Sequence, residues 1–274
     1  MFELVHLTGE LHTIRDTDSG ETFHPVVGPM VEAEAIHIAP LRLEKRLCAK
    51  EPFTIWDVGL GAGANAVAFI ETLSNIEIPF RCEMVSFDLT LEPLIFALQH
   101  AEALQYPLRW QTSLRDLAES YRTRITFSSG AVLSWQLRLG DFTEFPEAPV
   151  PDGIIYDPYS PTKNPAMWSL EHFQKLRERL SRPAVLTSYS RSTAVRVTLL
   201  LAGFYVGIGG ATGEKDQTTV AATEPGLLEN PLQLDWLKRV RMSTSARPLD
   251  GGEKGPISPE DLQALIAHPQ FAFS

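Results

Sequence analysis

The chain of 274 residues contains two cysteines, Cys48 and Cys82. Two thiols cannot make a disulfide framework for a chain this long, so the fold does not depend on disulfides and a reducing, cytoplasmic home is expected. No apolar run reaches the length needed to cross a bilayer. The opening MFELVHLTGE has neither the basic start nor the apolar stretch of a signal peptide. Positive charge is also scarce. Lys and Arg number 24 against 34 Asp and Glu, a formal net charge of −10. That balance counts against a generally basic nucleic-acid binder, although a local basic patch stays open. The chain shows no internal repeat and no low-complexity tract.

Apolar residues make up 44% of the chain and charged ones 21%. A normal core is affordable and global disorder is excluded. The length suits one large α/β domain with additions, or two small ones.

The organising stretch is Thr54 to Phe69, TIWDVGLGAGANAVAF. β-formers open it, Gly59, Gly61 and Gly63 turn it, and small apolar residues continue it at helical spacing. The pattern predicts strand, glycine loop and helix. Such a loop lets a ligand approach backbone closely and offers it the unpaired N–H groups of a helix start. Two cofactor readings compete with an ordinary strand-to-helix turn. Gly59-Leu-Gly61-Ala-Gly63-Ala64 can be fitted to the dinucleotide pattern. The acid ahead of the glycines, Asp57, argues for S-adenosylmethionine (SAM) instead: Asp57-x-Gly59-x-Gly61-x-Gly63 resembles motif I of the class I SAM-dependent methyltransferases.

Downstream, Arg81–Phe87 reads as a second strand ending at Asp88, where an α/β nucleotide site holds ribose hydroxyls. Helices are expected over Leu91–Leu104 and Leu114–Tyr121. Arg124–Leu139 reads as a hairpin around Ser129-Gly130 and ends in Gly140-Asp141-Phe142. Asp152–Asp157 is a buried strand ending in an acid. A helix over Asn164–Leu180, a strand over Pro183–Tyr189 and a helix over Ser192–Ala202 follow. Strands Phe204–Ile208 and Thr218–Ala222 are joined by a loop through Gly213-Glu214-Lys215. Ahead of the glycine loop, residues 2–15 read as strands about a Thr8-Gly9-Glu10 turn. The irregular run Glu21–Pro29 carries Phe23 and His24 and is of the kind that covers a pocket; a lone histidine there is more often a surface or satisfied one than a catalyst. Helices are expected over Met30–Ile38 and Leu41–Ala49. The tail holds helices over Leu232–Val240 and Asp261–Ala267, with Lys238, Arg239, Arg241 and Arg247 clustered.

Alternating strands and helices that close with two successive strands predict an α/β, Rossmann-like, seven-stranded sheet, mostly parallel with one antiparallel edge strand. Residues 1–49 would form a β/α cap over the cofactor site, 50–223 the Rossmann-like domain, and 224–274 a C-terminal extension.

Asp157-Pro158-Tyr159-Ser160-Pro161 follows the fourth strand. A carboxylate there can hold the N–H groups of an amine so that its lone pair meets an electrophilic methyl in line, and an aromatic can stack on a base. The longer run Asp157-Pro-Tyr-Ser-Pro161-Thr-Lys163-Asn164-Pro165-Ala-Met167-Trp168 resembles the signature of the methyltransferase domain of MnmC, the tRNA 5-methylaminomethyl-2-thiouridine biosynthesis family. Glu21-x-Phe23-His24 through Gly28 to Glu32 is similar to that family's early segment. Thr187–Ser190, Val195-Arg196, Gly203-Phe204 and Trp236–Pro248 are similar to later ones. Pro158, Tyr159 and Pro25 depart from its usual residues.

The resemblance implies a stand-alone enzyme that methylates 5-aminomethyl-2-thiouridine at the tRNA wobble position. No second dinucleotide loop follows residue 223, so it implies no FAD-dependent oxidoreductase domain, and no metal. It implies SAM contacts from Glu21, Glu32, Asp57, Gly59, Gly61, Gly63, Asp88, Leu89, Asp141 and Phe142. Asp157 would orient the acceptor and Tyr159 take the aromatic place. Apart from the resemblance, charge points to RNA-phosphate contacts at Lys163, Lys238, Arg239 and Arg241: a cation cluster is usually a solvated face, but an acidic chain needs a concentrated local patch to hold RNA. Two alternatives are a methyltransferase of another amine, small molecule or protein, and a non-catalytic SAM-binding RNA partner.

Overall fold

Strand alternation decides the layers in the computed structural model. The structure describes residues 1–7, 9–24, 27–47, 52–211, 216–250 and 253–272. Thr8, Pro25, Cys48, Ala49 and the loop residues Gly213, Glu214 and Lys215 lie outside them.

A hairpin of β1 (Phe2–His6) and β2 (His12–Asp16) begins the chain. The main sheet comprises β3 (Phe53–Val58), β4 (Arg81–Asp88), β5 (Arg122–Thr126), β6 (Val132–Leu139), β7 (Gly153–Tyr156), β8 (Val185–Ser188), β9 (Tyr205–Gly209) and β10 (Thr218–Ala222). Their spatial order is β5-β6-β4-β3-β7-β8-β10-β9. The fold class expected from the sequence holds, with two refinements. The sheet has eight strands, because the Ser129-Gly130 hairpin adds β5 antiparallel to β6. The antiparallel strand expected at the far edge, β10, lies one place in, between β8 and β9.

Parallel strands buried on both faces carry apolar side chains in both directions. Ile55, Cys82, Met84, Leu133, Trp135 and Ile155 join one core cluster with Val67, Phe69 and Leu73 of the helix Ala64–Ser74. Trp56, Val58, Val85, Phe87, Ile154, Tyr156 and Leu186 join the other with the helices Leu170–Arg179 and Thr193–Leu201. Both flanking regions share these cores. Ala33, Ile38, Leu41 and Leu43 enter the first, and Leu232, Trp236, Val240 and Leu265 the second.

Several helices differ in extent from the sequence reading for local reasons. Leu91–Leu104 becomes Glu92–Gln99 and Ala101–Leu104, broken at His100. Asn164–Leu180 becomes a short 3-10 turn, Pro165–Trp168, and a helix Leu170–Arg179. Ser169 Oγ accepts the His172 amide at 3.2 Å and so caps that helix, a contact worth about 1 kcal/mol. Within Met30–Ile38 the α-helix ends at Ala33 and a wider π-type turn, Glu34–Ile38, takes over.

Strand order reverses between β3 and β7. From β3 the sheet grows through β4 to β6, and from β7 through β8. A crevice opens beyond the carboxyl ends of such a pair, where ligands bind in open α/β sheets.

Candidate functional site

A cavity of about 430 Å³ lies at that reversal, lined by residues that follow β3, β4, β6, β7 and β8 and by the segment Glu21–His24. Its floor is the glycine loop. Gly59 has φ +89°, and a Cβ there would fall 2.6 Å from the Asp157 carbonyl oxygen and 3.2 Å from Pro158 Cα. Glycine is required because the chain leaving β7 crosses directly over this point. Gly61, at φ +52°, lies against the Phe23 ring.

Asp88 ends β4 and lines the cavity. Its Oδ2 accepts the Gly61 amide at 2.7 Å and its Oδ1 the Thr90 amide at 3.2 Å. Burial raises its pKa, against the lowering effect of these bonds. Leu89 is exposed beside it on the cavity wall. Asp141 lines the far side and caps the next turn, accepting the Thr143 amide at 2.8 Å and hydroxyl at 2.7 Å. Phe142 follows, its ring edge-to-face with Phe87 at 4.9 Å.

The acceptor-side loop is held from two directions. Glu21 accepts the Ser160 amide at 3.2 Å and also takes the Ser160 hydroxyl. Tyr159 donates its hydroxyl to Asp16 Oδ2 at 3.0 Å. A phenylalanine could not make that bond, so the Tyr159 hydroxyl is what ties this loop to the N-terminal hairpin. Trp168 Nε1 donates to the Tyr159 carbonyl at 2.8 Å. Asp157 itself keeps a side chain 20% exposed at the cavity.

Of the residues predicted to meet cofactor or acceptor, Glu21, Glu32, Gly59, Gly61, Asp88, Leu89, Asp141, Phe142, Asp157 and Tyr159 come together on this wall. Two do not. Asp57 is 0% exposed inside the sheet, where it accepts the Ser86 hydroxyl at 2.7 Å. Ser86 in turn accepts Trp135 Nε1 at 2.9 Å. Burial raises the Asp57 pKa to about 7. The acid of the motif therefore stands below the cavity, because its position in β3 turns it into the helix-covered face. Gly63 caps the helix Ala64–Ser74 at φ +81°, where a Cβ would meet Leu94 at 3.3 Å.

His24, Asn65, His37 and Tyr189 also line the cavity. Sequence reasoning missed the last three. Asn65 Nδ2 donates to Asp157 Oδ2 at 2.7 Å. Its place, two residues past Gly63 in the first helical turn, carried no signal of this partner.

Among the proposed RNA contacts, Lys163 is exposed next to Asn164, which lines the cavity. Lys238 and Arg239 line a separate, shallow depression with Arg191. Arg241 is exposed on the same helix, Trp236–Met242.

The carboxylates of Glu21, Glu32, Asp88, Asp141 and Asp157 line the main cavity, and no Lys or Arg does so among the described residues. A pyrophosphate would meet only like charge there. A cationic ligand is favoured instead.

Comparison with known proteins agrees. Residues 105–224 match the model of a family described as S-adenosyl-L-methionine-dependent methyltransferase. The tRNA 5-methylaminomethyl-2-thiouridine biosynthesis bifunctional protein MnmC of Methylibium petroleiphilum is 29% identical over 244 residues, 86% of this chain and 37% of that protein. The protein of the same name from Burkholderia vietnamiensis is 31% identical over 203 residues, 70% of this chain and 31% of that protein. The chain thus spans about a third of the length of these curated relatives. The crystal structure of MNMC2 from Aquifex aeolicus matches with a TM-score of 0.70 at 24% identity, over 98% of this chain and 83% of that one, a likeness of fold. With a glycine-floored acidic cavity at the sheet's reversal point, the chain has the class I SAM-dependent methyltransferase fold and is similar to the methyltransferase-family model over residues 105–224 and to the MnmC proteins over about a third of their length.

Proposed function

We propose that this chain methylates the exocyclic amine of 5-aminomethyl-2-thiouridine at the wobble position of tRNA. The observation that carries the reading is Asp157: a carboxylate at the end of β7, fixed by Asn65, on the wall of a cavity lined by no Lys or Arg among the described residues. That environment suits two positive groups, the sulfonium cofactor and the protonated acceptor. The relatives' printed function supports the acceptor class.

The residues present fit SAM. Gly59 and Gly61 present bare backbone on the cavity wall, Asp88 is anchored for sugar hydroxyls, and Asp141 with Phe142 offers a polar edge and an apolar face for a base. SAM supplies an electrophilic methyl group on sulfur. Asp157 then has two tasks. It accepts the N–H groups of the acceptor so that the nitrogen lone pair faces the cofactor side, and it offsets the positive charge that develops on that nitrogen. Tyr159 and Phe23, ring centroids 6.0 Å apart, offer an aromatic wall for the uracil.

An acidic cavity repels phosphates, so tRNA must be held elsewhere. Tyr189 lines the cavity, and Arg191, two residues on, lines the depression with Lys238 and Arg239. At most about 7 Å of backbone separates the two. We assign RNA-phosphate contact to Lys163, Arg191, Lys238, Arg239 and Arg241. Residues 1–49 then cap the cofactor, 50–223 carry the chemistry, and 224–274 meet tRNA. A cytoplasmic setting follows from a tRNA substrate; no helix among the described residues is long and apolar enough to cross a membrane.

The test is incubation with methyl-labelled SAM and tRNA from cells lacking the final methyl. Label in the wobble nucleoside is expected. Label only in protein or in small amines would reassign the acceptor.

A further inference from the structure

His37 stands behind Asp157 and belongs to no motif. It sits on the wide turn Glu34–Ile38, where the Ala39 amide donates to the Glu34 carbonyl five residues back. Such turns recur at functional sites. Gly210 admits this one, since a Cβ there would fall 2.5 Å from the Ala35 carbonyl oxygen. The imidazole is 1% exposed. Its Nδ1 is 3.0 Å from Thr187 Oγ1, and its Nε2 is 3.8 Å from Asp157 Oδ2.

Thr187 Oγ1 has one proton to give, and the Ile154 carbonyl lies within reach at 3.3 Å. With the proton given there, the hydroxyl accepts from His37 and Nδ1 carries a proton. In the neutral ring Nε2 holds a lone pair, and that lone pair faces a carboxylate oxygen. A proton placed between them relieves the repulsion. Asn65 holds the same Oδ2 at 2.7 Å and keeps it turned toward the ring.

The acceptor has a matching need. A protonated amine has no lone pair with which to attack. A carboxylate alone holds that proton on the nitrogen by charge attraction.

Resting on the amine-methylating reading above, we propose that His37 is a positioning residue that acts through Asp157 and stores the acceptor's proton. The N–H bond of the ammonium breaks, its electron pair stays on nitrogen, and an O–H bond forms on Asp157. That O–H bond breaks as Nε2 of His37 takes the proton, which restores the carboxylate and leaves an imidazolium paired with it. The 3.8 Å gap is longer than a hydrogen bond, and catalytic contacts of this kind tighten when substrate binds. The other charged or titratable groups that share its cavity are mostly acids. Asp157 follows β7 and Tyr189 follows β8, Glu32 and Glu34 lie on the same segment as His37, and Glu21, His24, Asp88, Asp141 and Tyr159 stand on the cavity wall. The carboxylates among them favour the imidazolium.

Nitrogen NMR of the full chain labelled at histidine reads the pair without any acceptor. His37 is assigned by the resonance lost in His37→Gln. The expected pattern is a neutral ring protonated at Nδ1, with a titration midpoint that falls by about one unit in Asp157→Asn. A ring protonated at Nε2, or a midpoint indifferent to Asp157→Asn, overturns the proposal. Thr187→Val removes the acceptor of Nδ1 and is expected to shift the tautomer, which keeps the test open where His37→Gln fails to fold. In single-turnover methylation of aminomethyl-uridine tRNA, His37→Gln is expected to lose roughly 100-fold near pH 7. The gap should close to within about tenfold near pH 10, where free amine forms without a base. A loss of equal size at every pH marks a merely structural histidine and refutes the relay. If the wild-type chain methylates no such tRNA, the acceptor reading fails, and the tautomer and midpoint still decide the pair.

Discussion

Replacing Gly59 by alanine should damage both stability and catalysis, and the structure gives each a scale. The added Cβ would lie 2.6 Å from the Asp157 carbonyl oxygen and 3.0 Å from its carbon. Ordinary contact begins at 3.4 Å, so the backbone at Asp157 must withdraw by about 0.8 Å at fixed Gly59 position. The obstacle is main chain, and no flexible side chain can give way. Left-handed backbone for alanine costs roughly 1–2 kcal/mol, and forced overpacking about 1–3 kcal/mol more. Gly130→Ala supplies the control. Its φ is +80°, yet nothing lies within 4 Å of its Cβ position. It should cost only the conformational part, roughly 1–2 kcal/mol. Thermal unfolding should therefore separate the two variants by a further 1–3 kcal/mol, on the order of 3–10 °C. Displacing the acceptor carboxylate by nearly 1 Å should also cut single-turnover methyl transfer by about 100-fold, while Gly130→Ala keeps the wild-type rate. If Gly59→Ala melts with Gly130→Ala and methylates normally, the crossing of β7 over the loop does not position Asp157.

Asp157→Ala is expected to keep the fold and SAM affinity but lose methyl transfer by two to three orders of magnitude, roughly the value of one preorganised polar partner; parallel loss of SAM binding would make it a cofactor residue. Asp57 has a folded pKa of about 7 against an ordinary 3.8. Between about pH 4 and 7 the folded chain keeps a proton that the unfolded chain has lost, so stability should fall as pH rises through that window. Asp57→Asn keeps an acceptor for Ser86 and should remove that part of the slope in urea unfolding; equal slopes in both proteins would refute the buried titration. Replacing Lys238, Arg239 and Arg241 together with alanine should weaken tRNA binding and flatten its salt dependence; unchanged affinity and slope would confine these side chains to a solvated face.

The sequence alone was enough for whatever is local. Thr54–Phe69 codes its own strand, turn and helix, since β-formers, glycines and small apolar residues each restrict the backbone within a few positions. The Ser129-Gly130 hairpin and the Asp157–Trp168 signature were legible for the same reason. Alternating strands and helices set the fold class, because parallel strands need crossovers. Contacts between distant residues were decided by the tertiary structure. Gly59 is obligatory because residue 157 crosses it, ninety-eight positions later. Asp57 reads as a ligand in the motif, but strand register turns it into the core beside Ser86 and Trp135. Tyr159 reads as a stacking ring, and its hydroxyl holds the N-terminal hairpin through Asp16. Asn65 and His37 carried no distinct pattern, since a polar residue in a helical run has no meaning until its partner is known. Asp157 gives them that meaning only when β7 is laid beside β3, since a side-chain bond of 3 Å is specified by the packing of the sheet and not by spacing along the chain.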